Sequence, residues 1–254
     1  MNSLRIISII GIPLLQAVCI LFGMQFEQWY ALSAIAAFII TDIFLAFFFV
    51  PETKKMHVFT YSYLPLVGVL GTFGLVFLVE SDFVKSATII TSAFVQFLYF
   101  LNLYYALFRP KWHQQRALFH AVRVMAYAVV YCMSAIVYGF SYYLNTPYWQ
   151  TFPPFFIVMM LLVCQILLLN DKKIKKHIFF LGAFAAVISE VFFVISTLPS
   201  TYYVSAALFT ALIMAGLQLA ASSLRKEQTH METVSTVLIT ACVVVLIVVT
   251  ASWR

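Results

Sequence analysis

Apolar runs of about 20 residues follow one another along almost the entire chain, separated by short polar breaks. A helix rises about 1.5 Å per residue, so a run of that length crosses the ~30 Å hydrocarbon core of a bilayer. A buried soluble core uses shorter segments. Charged residues make up only 9% of the 254 residues, against about 25% in soluble domains, too few to cover a surface facing water. No polar stretch is long enough to fold as a soluble domain. The expected fold is therefore all-α: a polytopic integral membrane helical bundle forming a single transmembrane domain over residues 1–254.

Nine spans are expected, at about 4–23, 30–50, 58–79, 86–108, 117–144, 155–170, 178–198, 203–224 and 234–253, or eight if one segment is re-entrant. The sixth is short because it is placed after Pro153-Pro154, and the fifth is long and must tilt or protrude. Arg5 followed by Ile6–Leu15 resembles the start of a signal peptide, but Val18 is bulky before Cys19 and no Ala-x-Ala site follows, so an uncleaved first helix is expected. The four cysteines, Cys19, Cys132, Cys164 and Cys242, all fall in apolar runs and read as small buried hydrophobes.

The breaks carry charge asymmetrically. Arg5, Lys54, Lys55, Arg109, Lys111, Arg116, Lys172, Lys173, Lys175, Lys176, Arg225 and Lys226 fall on one side, twelve in all, and only Lys85 and Arg254 on the other. By the positive-inside rule the first side is cytoplasmic, which places the amino terminus inside and the carboxyl terminus outside. Trp29, Tyr30, Tyr142, Tyr143, Tyr148, Trp149, Tyr202, Tyr203 and Trp253 then gather at the outer ends, where amphipathic rings favour the headgroup zone. A plasma (inner) membrane location follows, with the net charge of +6 facing anionic lipid headgroups. Membrane lipids, and other membrane proteins met within the bilayer, are the partners expected; no nucleic-acid module is present.

A charge in hydrocarbon costs at least ~2.5–3.5 kcal/mol, so intramembrane charges usually turn inward and serve a purpose. Asp42 lies nine residues before Pro51 and Arg123 seven beyond Arg116, or ~13 and ~10 Å of helix rise. Their matched depth predicts an ion pair between the second and fifth spans. Glu190 is deeper, fourteen residues past Lys176. It shares a face with Gly182, Ala183 and Ala186, which allow close helix packing, so it is expected to point inward. There it serves as a neutral hydrogen-bonding acid or as a proton- or cation-coupled group. Gln96 has similar depth, with Gln16 a further member.

The fifth span carries a polar stripe. Arg116, His120, Arg123, Tyr127, Tyr131, Ser134, Tyr138 and Ser141 recur at spacings of three and four across the whole membrane. Two readings stand: the helix lines a hydrated or ligand-filled cavity, or it hydrogen-bonds its neighbours with tyrosine as partly apolar bulk. Asn102, Gln165 and Gln218 each stand seven residues before the first cation of the following break. With Asp42 they suggest a polar layer ~10 Å from the inner surface, although chance explains three amides as well.

No span holds the deep lysine that retinal requires or histidines paired at matched depth for haem, and HExxH, P-loop, GxGxxG and GxSxG patterns are absent. No cofactor, metal site or catalytic residue is therefore expected. The leading functional expectation is a small-molecule or ion transporter whose cavity is lined by the fifth helix. Its ligand or pathway residues would be Glu190, Gln96, His120, Arg123, Tyr127, Tyr131, Ser134 and Tyr138. A non-catalytic scaffold, sensor or assembly subunit is the second expectation. The third is a membrane enzyme acting on a lipid-linked substrate through Asp42, His113, His120 and Arg123.

Overall fold

The computed structural model describes residues 2–49, 56–108, 112–170, 178–224 and 230–251. Among them nine α-helices follow in order: α1 Asn2–Gln25, α2 Tyr30–Phe49, α3 Met56–Leu78, α4 Asp82–Phe108, α5 Trp112–Leu144, α6 Tyr148–Asn170, α7 Ile178–Ser196, α8 Tyr202–Leu224 and α9 His230–Thr250. Seven of these are long and apolar enough to cross a membrane, while α2 and α9 contain the shorter apolar stretches Tyr30–Leu45 and Val237–Thr250. The basic breaks at 51–55, 109–111, 171–176 and 225–226, together with Trp253 and Arg254, lie outside the described residues.

One expected boundary needs correction. The sixth helix starts at Tyr148, with Pro153 and Pro154 inside it. Near a helix start a proline removes a hydrogen bond whose freed carbonyl lies in the first turn, within reach of the headgroup zone, so the helix tolerates it. At 33 residues, α5 is about 50 Å long, well beyond the hydrocarbon thickness, and must tilt or protrude.

The chain divides into two compact units, Met1–Cys132 and Met133–Arg254. No polar linker marks the boundary, which falls inside α5. In the first unit the packed pairs are α1–α2, α2–α3, α3–α4 and α1–α4, a closed ring of four helices. Each helix turns one stripe inward. On α1 the buried positions are Ile9, Ile12, Pro13, Gln16, Ile20 and Gly23, and on α2 they are Ser33, Ala37, Thr41, Phe44 and Leu45, both at helical spacing. Ile20, Ala37, Val69, Phe73, Val76 and Ile89 form the core between them.

Backbone breaks inside this ring are repaired by side chains. Pro65 lies within α3 and leaves the Tyr61 carbonyl without its helical donor. The hydroxyl of the fully buried Tyr99, on α4, donates to that carbonyl at 2.7 Å. At the α1–α2 turn, the Tyr30 hydroxyl donates to the Phe73 carbonyl, and the Tyr30 ring packs against Phe73 and Phe77 at 5.5 and 5.8 Å.

In the second unit α8 packs against α6, α7 and α9. Phe192 of α7 is its aromatic centre, fully buried and within 6.2 Å of the rings of Tyr138, Tyr148, Phe152, Phe155, Phe193 and Phe209. Asn145, with φ 49°, ends α5 in the left-handed region that Asn tolerates better than most residues. Ser141 Oγ closes this turn by donating to the Thr146 carbonyl at 2.9 Å.

Among the described residues the exterior is largely apolar, with Asp42, Arg123 and Glu190 also exposed. Gln16, Thr41, Thr72, Gln96, Ser134, Gln165, Ser205 and Thr210 are buried, while Ile7, Leu32, Ile35, Phe77, Ile90, Val194 and Leu246 are exposed. Water would reverse that arrangement, whereas acyl chains accept the apolar exterior.

Candidate functional site

The polar side chains inside the first unit form a connected seam. Gln16 Nε2 of α1 donates to Thr41 Oγ1 of α2, and Thr41 passes its own proton to the Ala37 carbonyl at 2.7 Å. On the other side of the ring Thr72 of α3 donates to the Gly68 carbonyl at 2.8 Å and lies 2.6 Å from Ser92 Oγ of α4. A hydroxyl has one proton. Thr72 has already committed its proton, so Ser92 is the donor in that pair. By the same reasoning the amide nitrogen of Gln16 must face Thr41, which turns its oxygen the other way.

Two buried side-chain groups of this unit remain unsatisfied among the described residues. Gln16 Oε1 and Gln96 Oε1 are buried and have no hydrogen-bond partner. Both residues line a cavity between α1, α3 and α4, together with Ser92, Pro13, Val69 and Ile89. The centre of a water-sized body can move within about 10 Å³ of it, enough for one such body. Measured along the helices from the end bearing the α1–α2 and α3–α4 turns, Gln16, Ser92 and Gln96 stand roughly 14, 15 and 21 Å deep. On helices crossing ~30 Å of hydrocarbon such depths correspond to the middle of the span.

The other expected site residues are placed differently. Asp42 and Arg123 are both exposed, and no ion pair joins them among the described residues, where Asp82–Lys85 at 3.5 Å is the pair formed. Matched depth does not bring them together, because both side chains are exposed. Glu190, Gly182, Ala183 and Ala186 are exposed on the second unit, so the small-residue face expected to turn inward lies on the outside of that unit.

The stripe on α5 changes character along its length. His120, Arg123 and Tyr127 are exposed on the first unit and Tyr131 is half-buried. Ser134 and Tyr138 are buried in the second. There the Tyr138 hydroxyl donates to the Phe192 carbonyl at 3.2 Å, and Ser134 Oγ to the Ala206 carbonyl at 3.5 Å. In this outer half the stripe bonds helix to helix. Asn102 donates back to Leu98 of its own helix at 2.7 Å.

The sequence singles out Gln96 and Gln16 only as companions of Glu190, and carries no signal for Thr41, Thr72 and Ser92, whose hydroxyls are typical of apolar helices. No group of three or more His, Cys, Asp or Glu residues that could hold a metal ion occurs among the described residues. No protein-family model, curated protein or solved structure matches the chain.

Proposed function

We propose that this protein is a plasma-membrane transporter of a small ion or molecule, with its amino terminus in the cytoplasm and the cavity between α1, α3 and α4 on the pathway. The observation that carries this reading is the pair of partnerless amide oxygens, Gln16 Oε1 and Gln96 Oε1, at a mid-span cavity. A buried acceptor left unsatisfied costs about 1–3 kcal/mol, and a bundle with no ligand to bind would gain by replacing these glutamines with leucine. Reconstitution into liposomes tests the reading. Flux of Na⁺, K⁺ or H⁺, or uptake from a panel of small solutes, is expected to exceed that of empty liposomes. Gln96→Leu is expected to reduce it at least tenfold. Absence of flux for every solute would sink the transport reading.

A second reading, an assembly subunit, is favoured by Asp42, Arg123 and Glu190, which are exposed on apolar unit surfaces. Charges so placed gain from polar groups on a partner within the bilayer. Absence of flux together with a second membrane protein that co-purifies, and is lost in Glu190→Leu, is the outcome this reading expects.

A further inference from the structure

We propose that the cavity between α1, α3 and α4 binds one small monovalent cation through the oxygens of Gln16, Gln96 and Ser92. The proposal rests on the transport reading for its site and names the ligand class. The decisive feature is the direction of the hydrogen bonds. The protons of Thr41 and Thr72 go to the Ala37 and Gly68 carbonyls, that of Ser92 goes to Thr72, and the amide nitrogen of Gln16 is turned to Thr41. What these groups leave for the cavity is oxygen lone pairs, to which Gln96 adds its partnerless amide oxygen and an amide nitrogen. Pro13, also on the wall, has no N–H to offer.

Size and polarity then limit the occupant. The space fits one water-sized body. A buried water commonly makes about three hydrogen bonds, accepting as well as donating. Here it would have the two partnerless glutamine oxygens to donate to and the Gln96 amide nitrogen as the side-chain donor to its own lone pairs. A cation has no lone pairs to satisfy, and neutral oxygens turned inward replace its hydration, as backbone carbonyls do in selectivity filters. The wall holds no carboxylate, whereas hard divalent ions are usually held by one or more. A monovalent ion no larger than water fits both limits.

The test uses the purified full-length protein in detergent, with the unfolding temperature measured in LiCl, NaCl, KCl and choline chloride at equal ionic strength. Ligand binding to the native state alone raises Tm. At least one of the three small cations is expected to raise it by about 3 °C or more over choline. Gln96→Leu and Ser92→Ala are expected to remove most of that rise. Equal Tm in all four salts would overturn the proposal and leave a water in the cavity. A rise unchanged in both variants would overturn it by placing the ion elsewhere. Should Gln96→Leu fail to fold, the salt dependence of the unaltered protein and of Ser92→Ala still decides. A cation effect without flux in liposomes retains this site and rejects transport. Flux of a neutral solute without a cation effect does the reverse.

Discussion

Phe192→Ala is expected to lower the stability of the protein by about 2 kcal/mol. In a bilayer the usual hydrophobic transfer contribution largely falls away, because lipid tails surround the separated helices and are as apolar as the core. The contribution from the cavity left behind remains, about 24 cal/mol per Å³. Removing the phenyl ring leaves roughly 100 Å³ if the site does not collapse. Collapse is resisted here because six aromatic rings surround Phe192 and brace one another, with Tyr138 stacked on it at 5.1 Å and Phe152 at 4.8 Å. SDS titration in mixed micelles reads the loss. Phe192→Leu should recover most of it, and an alanine variant within about 0.5 kcal/mol of the parent would show that the cluster does not determine the packing of the second unit.

The second large effect is expected at the α1–α2 seam. A Cβ added at Gly23 would collide with the Ser33 side chain and press on the Tyr30 ring. Ser33 has little freedom to yield, since its hydroxyl donates to the Tyr30 carbonyl at 2.7 Å. Either Ser33 rotates and gives up that bond or the helices separate, and overpacking of this kind costs about 1–3 kcal/mol. Gly23→Ala should lose that much in the same titration. Ser33→Ala alone should lose little, and the double variant should recover part of the Gly23→Ala loss. Strictly additive losses would show that the two residues do not meet.

Helix positions were legible because span length is set by the thickness of the bilayer, which leaves its mark as apolar runs. The start of α6 was not, because proline was read as a stop, whereas near a helix end its missing hydrogen bond is easily borne. Interior geometry was legible only in part. Depth follows from counting residues, but that count grouped Gln96 and Gln16 with Glu190, which is exposed on the second unit. Azimuth does not follow from counting. Thr41 is buried and Asp42 beside it is exposed, a rotation of about 100° on one helix, so equal depth does not decide which way Asp42 faces. The period of the α5 stripe was visible, but whether a tyrosine faces a cavity or a neighbouring carbonyl depends on the partner helix. For Tyr138 the partner is Phe192, 54 positions away, a contact no local pattern encodes.

Sidedness underlies the whole account, since it fixes which helix ends share a surface and how deep each polar group lies. Single cysteines at Lys54, Ser81, Lys173 and Ser200, placed one at a time in a chain whose four native cysteines are alanine, report it through a membrane-impermeant maleimide. Positions 81 and 200 are expected to label in intact cells, and 54 and 173 only in inverted vesicles. Labelling of 54 and 81 from the same face would contradict the account, because α3 would then fail to cross the membrane.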